Sequence, residues 1–369
     1  MSPSLFVAVV LVVAGALALE LGITSAITEI LAGCLLGTLV DVEGLGWLEF
    51  LSHFGMLGLM FMAGFEVDVA VLRRQWRASL GIGVASFAVP AVGTFALCSL
   101  WLGLAPMAAG LVSIALSTTS LALVYQFLRE RGRLSGDIGQ TILGAATAVD
   151  LLSMIALAAL FGDMGLATVI FILGLVPAFW ALPRIGRWVF ERYRGHAAEF
   201  EVRFLLLVLV GLGYLSERVG VHAAIVAFAA GLALSDLLEN DELVIEKLKG
   251  VVFSFLAPAF FLRAGTLFDP RTIDLSTARV AAVLLVSAVG LKFVGAFLSA
   301  RVLLRGLGRY VGVLFNYRLT FGIITALVGL QEGVITAELF SVILIVVLGS
   351  GLLPMILLRD LPNDLDMGK

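Results

Sequence analysis

At 369 residues, 61% hydrophobic and 14% charged, with a mean hydropathy of +1.10, the chain lies outside the range of soluble domains and reads as an integral membrane protein. Its length admits about a dozen spans of about 20 residues each. The net charge of −3 decides little, because in a bilayer charge matters by side rather than by sum, and no nucleic-acid partner is expected.

Apolar runs between charged or Gly/Pro-marked loops predict about thirteen helices. They fall near 4–20, 23–40, 47–65, 79–101, 106–128, 138–161, 166–190, 203–219, 221–238, 250–267, 275–304, 309–330 and 336–358. The first run lacks a basic leader and an A-x-A cleavage signature, so it reads as a retained helix. Arg73, Arg74 and Arg77 follow the third run, and Arg129, Arg131 and Arg133 the fifth. Arg184, Arg187, Arg192, Arg194 and Arg203 surround the loop after the seventh. Lys247 and Lys249 follow the ninth, Arg301, Arg305 and Arg309 the eleventh, and Arg359 the last. All lie on one side if the spans begin outside. The other side receives Arg218, Arg271 and Arg279 together with Asp41, Glu43, Asp163, Asp269 and Glu332. The positive-inside rule then sets the N-terminus outside and the C-terminus in the cytoplasm of a multi-pass cell (inner) membrane protein.

Cys34 and Cys98 both lie in apolar runs, so no disulfide framework is expected. The 40 glycines suit helices that pack closely in lipid. No long linker or low-complexity tract appears, and the tail LPNDLDMGK is short. Residues 1–369 therefore read as a single transmembrane domain without a soluble regulatory domain.

Polar residues inside these runs carry the functional signal. Glu29 in TSAITEILAGCLLG and Glu66 in MAGFEVD sit near helix ends, where they either line a funnel or are simply solvated. The fifth run, MAAGLVSIALSTTSLALVYQFL, holds Ser117, Thr118, Thr119 and Ser120 in succession. Such hydroxyls either mediate helix packing or satisfy backbone groups freed by a helix break while supplying oxygens to a small cation. The sixth run contains Asp150, whose burial costs roughly 2.5–3.5 kcal/mol on insertion scales and marks an ion or proton pathway or a structural pair with a neighbouring helix. His222 lies toward the outer face, as a pH sensor or an incidental surface residue. The tenth run brings Pro258 and Arg263 in FFLRAG, and the eleventh brings Lys292, too far from either end to snorkel. In the twelfth, Arg318 stands beside Asn316 and Thr320, with Gly322 following, a second candidate break matching the first. The arginines read as helix staples or as charge-balancing groups.

In order along the chain, ITEILAGCLLG, GLMFMAGFEVD, ALSTTSLALVYQFLRERG, QTILGAATAVDLLSMIAL, IVAFAAGLALS, FLAPAFFLRAG and GLKFVGAF together resemble the cation:proton antiporter superfamily, in particular the bacterial sodium/proton antiporters of its second branch. The resemblance implies an all-α membrane fold of about thirteen transmembrane helices, with two inverted repeats, crossed broken helices, and core and dimerisation bundles. It also implies a homodimer working by an elevator-like movement of the core. Asp150 matches the family's essential aspartate, Thr119 and Ser120 its broken-helix pair, and Lys292 its intramembrane lysine. Val149 departs from the pattern. Many electrogenic relatives carry a second aspartate there, electroneutral ones asparagine and potassium-efflux relatives glutamine. The family's lysine–aspartate pair is thus absent. Arg263, and the lack of an acidic residue at Thr320 or Phe321 near Arg318, are further departures.

The reading that follows is a secondary-active monovalent cation/proton antiporter, exchanging sodium or potassium for protons. Asp150 would take a cation or a proton in turn, with Thr118, Thr119 and Ser120 as oxygen donors to the cation. Lys292, Arg318 and Arg263 would balance charge in the membrane. No cofactor is required. The alternative is a sodium-coupled symporter of an organic anion held by Arg318 or Arg263. An enzyme is not expected, since HExxH, GxSG and GxGD motifs are missing and the chain holds only 3 histidines.

Overall fold

A computed structural model describes residues 3–39, 45–67, 75–131, 133, 136–162, 166–193, 199–218, 221–238, 241–304 and 306–358. Asp41, Glu43, Arg73, Arg74, Asp163, Arg194, Arg305, Arg359 and the tail lie outside the described residues. The helices in chain order are α1 (Pro3–Leu21), α2 (Ser25–Leu39), α3 (Gly46–Phe65), α4 (Trp76–Leu100), α5 (Pro106–Ala115), α6 (Leu121–Glu130), α7 (Asp137–Phe161) and α8 (Leu166–Tyr193). They continue as α9 (Phe200–Arg218), α10 (Ala223–Leu238), α11 (Glu242–Val251), α12 (Ala257–Thr266), α13 (Leu275–Leu303), α14 (Gly308–Leu314), α15 (Thr320–Gln331) and α16 (Ala337–Leu357). The described residues contain no strand, and every predicted interval is occupied by helix. Among them, seven helical stretches are long and apolar enough to cross a membrane, and the chain is a multi-pass membrane protein.

Local chemistry explains the breaks and ends. Pro106 opens α5 at a position where the missing N–H costs nothing. Asp274 caps α13, its carboxylate accepting from Thr277 N at 2.7 Å. That bond, with those from the Ser276 and Thr277 hydroxyls, holds the exposed Asp274 carboxyl down to about 2. Thr336 caps α16 in the same way, accepting from Leu339 N at 3.2 Å. Between α11 and α12 the helix widens into a π turn, Val252–Leu256. Pro258, two residues after the turn ends, has no N–H for the ladder, so the turn before it loosens instead of breaking.

The chain divides into two compact units. The first spans Met1–Leu36, Val40–Val67 and Phe161–Gly265 and holds α1, most of α2, α3 and α8 to α12. Here glycines let backbones touch. Gly33 of α2 lies against the Leu262 carbonyl and Gly265 of α12, and Gly265 against the Ile30 carbonyl. Gly64 of α3 lies against the Phe228 carbonyl of α10, and Gly231 of α10 against the Phe61 carbonyl. A Cβ at any of the four would collide with backbone.

The second unit spans Gly37–Leu39, Asp68–Leu160 and Thr266–Lys369. Within it α4 packs along α13, α5 against α4 and α15, and α16 against α13 and α15. One apolar cluster gathers Ile82, Leu121, Val124, Leu128, Ile142, Ala146, Val149, Leu314, Phe315 and Tyr317. It sets α7 against the two places where helices are interrupted.

Candidate functional site

Both interruptions occur where hydroxyl and amide side chains stand in for the helical ladder. At 116–120 the Ser117 hydroxyl donates to Ser113 O at 2.6 Å and the Thr118 hydroxyl to Ala115 O at 3.2 Å. At 315–319 the Asn316 amide donates to Gly312 O at 2.9 Å. The two gaps meet: Ser120 N donates to Tyr317 O at 2.6 Å, and the Thr119 hydroxyl donates to Phe315 O at 3.2 Å. Gly322, at the start of α15, permits the close approach, because a Cβ there would stand 3.0 Å from Ala115 O.

Two buried basic side chains complete the junction. Lys292, 0% exposed on α13, donates to Ser117 O at 2.6 Å. Arg318, also 0% exposed, donates to Leu116 O at 2.7 Å, to Ala288 O at 3.1 Å and to Asn316 Oδ1 at 2.7 Å. Both therefore sit at the C-terminal end of α5, where the helix dipole favours positive charge. Four carbonyls released by the gaps, those of Leu116, Ser117, Phe315 and Tyr317, each have a donor. Asp150, 2% exposed on α7, lies close enough for its charge to act on Lys292, as does that of Arg318. The Lys292 amine bonds to a backbone carbonyl at the gap. Val149 is buried in the apolar cluster with Leu121, Phe315 and Tyr317, on a different face of α7 from its neighbour Asp150.

Thr118, Thr119, Ser120, Asp150, Lys292 and Arg318 thus come together in the second unit. Arg263 does not join them within that unit; it is half-buried on α12 of the first. Glu29 also departs from the solvated helix end, since it is only 4% exposed. Glu66 is half-buried at the C-terminal cap of α3, within range of the Lys249 charge. His222 precedes α10, and its Nδ1 accepts from Ala224 N at 3.3 Å. Buried polar groups that sequence reading passed over are Thr147 and Ser153 on α7; their spacing of three from Asp150 was the available signal.

A helical membrane protein with two interrupted helices meeting beside a buried carboxylate has the architecture of a transporter. The chain belongs to the family of sodium/hydrogen exchangers (transmembrane), which matches residues 7–359. It is 31% identical to the probable Na(+)/H(+) antiporter 3 of Methanocaldococcus jannaschii, over 80% of this chain and 79% of that one. It is 29% identical to the Na(+)/H(+)-K(+) antiporter GerN of Bacillus cereus, over 91% and 89% of the two chains. Its fold matches the sodium proton antiporter MjNhaP1 of Methanocaldococcus jannaschii with a TM-score of 0.72 at 15% identity, covering 96% of this chain and 95% of that one.

Proposed function

We propose that the protein is a secondary-active antiporter exchanging a monovalent cation for protons, with Asp150 as the shared site and residues 1–369 acting as one transporter domain. The observation that carries this reading is the buried Asp150 carboxyl within charge range of Lys292, whose amine bonds into the first helix gap. A carboxylate in a dry site holds either a proton or a cation, and that competition couples the two fluxes. Thr118, Thr119 and Ser120 would offer hydroxyl oxygens from the gap to a cation that sheds water.

Family membership and the names of the relatives support the cation/proton assignment. Alternating access would come from an elevator-like excursion of the unit carrying Asp150, in a homodimer in the inner membrane. Thirteen spans in two inverted repeats are supported by recurrence along the chain. Gly33 answers to Gly231 and Gly64 to Gly265, and the gap at 116–120 answers to that at 315–319. The organic-anion symporter reading is weaker, because both Nη atoms of Arg318 already serve carbonyl oxygens.

The test is pH-gradient dequenching in proteoliposomes with sodium, lithium and potassium added in turn. Cation-dependent proton release is expected; a requirement for an organic anion would overturn the assignment. Orientation is tested separately, by cysteine substitutions in 129–137 and 301–309. These should label only from the cytoplasmic side, and labelling from outside intact cells would overturn the span count.

A further inference from the structure

α7 buries three hydroxyl side chains, Thr141, Thr147 and Ser153. Two return their protons to their own helix: Thr141 donates to Asp137 O at 2.7 Å and Ser153 to Val149 O at 2.7 Å. Such back-bonding is what a threonine or serine inside a helix usually does. Thr147 is 3% exposed, yet among the described residues no hydrogen bond engages its hydroxyl. Its place on the helix is specific. It precedes Asp150 by three residues, so the two side chains share a face. The opposite face, through Ala145 and Ala148, packs on Gly83 of α4, and Val149 belongs to the apolar cluster.

A cation leaving water needs several oxygens. The carbonyls of Leu116, Ser117, Phe315 and Tyr317 already accept from Arg318, Lys292, Thr119 and Ser120. Valine at 149 supplies no oxygen. The geometry points to Thr147 as a further oxygen ligand of the transported monovalent cation, contributed by the same helix and face as Asp150. This assignment rests on Asp150 being the cation site. Thr147 would fill part of the coordination that a side chain at 149 cannot provide.

The experiment compares Thr147→Val, Thr147→Ser and Asp150→Asn in proteoliposomes, reading apparent KM and maximal rate for sodium, lithium and potassium. Thr147→Val keeps the shape and removes the oxygen. It is expected to raise the apparent cation KM roughly tenfold, about the effect of losing one bond to a charged group, with the maximal rate unchanged. Thr147→Ser is expected to restore the wild-type KM. An unchanged KM in Thr147→Val, or a loss of rate alone, overturns the ligand assignment while the proposed function stands if Asp150→Asn is inactive. Exchange retained by Asp150→Asn sinks the proposed function itself. If Thr147→Val does not assemble, Thr147→Ala against Thr147→Ser makes the same comparison: equal KM values for the two refute the ligand role, and a rise confined to Thr147→Ala supports it.

Discussion

At the gap in 116–120 the chain carries four hydroxyls in succession, Ser117 to Ser120, whereas at 315–319 it carries Asn316 and Arg318 among Phe315, Tyr317 and Leu319. Both gaps leave helix-end carbonyls exposed in a dry interior, and each unsatisfied group there costs several kcal/mol. They are satisfied from opposite directions. The first gap receives cations at its carbonyls, from Arg318 and Lys292. The second receives neutral donors, the Thr119 hydroxyl and the Ser120 N–H. One gap is thus held by charge and offers hydroxyls, and the other offers charge and is held by hydroxyl and backbone. The basic side chains at the junction come from the second half of the chain, and its acidic side chain, Asp150, from the first.

The largest expected effect falls on that negative charge. Asp150→Asn keeps the volume but removes both the charge and the titratable proton. Exchange should fall to background while the purified protein elutes as the wild type does. Comparable exchange by the asparagine variant would place the carrier elsewhere and strip the comparison of its functional meaning.

Next is the clamp. Arg318→Leu removes the donor to Leu116 O, Ala288 O and Asn316 Oδ1. Bonds to a charged group contribute about 1.5–3 kcal/mol each, so the melting temperature in detergent should drop clearly. Lys292→Gln should lower it less, because the amide still reaches for Ser117 O. Equal melting of Arg318→Leu and wild type would show that the first gap is not held by charge.

How far this junction could be read from residues alone follows from the same chemistry. Hydroxyl and charged residues inside apolar runs have few reasons to be there, so STTS, NYR, Asp150 and Lys292 all pointed to the breaks and to one site. The partners were not legible. A carbonyl has no signature in sequence, so nothing announced that Lys292 would bond to Ser117 O or that Arg318 would reach Ala288 O. For Glu29, nearness to a helix end suggested solvent, whereas the side chain is only 4% exposed. The π turn before Pro258 was hidden because proline marks a disturbed ladder without fixing whether it breaks or widens.

A smaller effect should separate the hydroxyls of the first gap from its backbone. Thr119→Ala removes the bond to Phe315 O and one oxygen near the crossing, leaving the Asp150 carboxyl intact. Apparent cation affinity should weaken several-fold to roughly tenfold, with turnover changed much less. Unchanged affinity would reduce the hydroxyl run to a packing device.

The smallest expected effect is a null one, and it turns on Val149. A single carboxylate exchanges one monovalent cation for one proton, which moves no net charge. An electrogenic cycle needs a second group that gains and loses a proton, and Lys292 is the candidate by its place within reach of the Asp150 charge. Its amine, however, is held on Ser117 O at 2.6 Å, and the second cation, Arg318, is fixed on carbonyls of the same gap. With no carboxylate at 149 to trade with, the lysine is expected to stay a donor to the helix end in one protonation state through the cycle. Exchange should then run at the same rate under imposed membrane potentials of either sign. A clear rate change with voltage, or a current on cation addition over a solid-supported membrane that Lys292→Gln abolishes, would instead make the lysine a second carrier and the first gap a moving part.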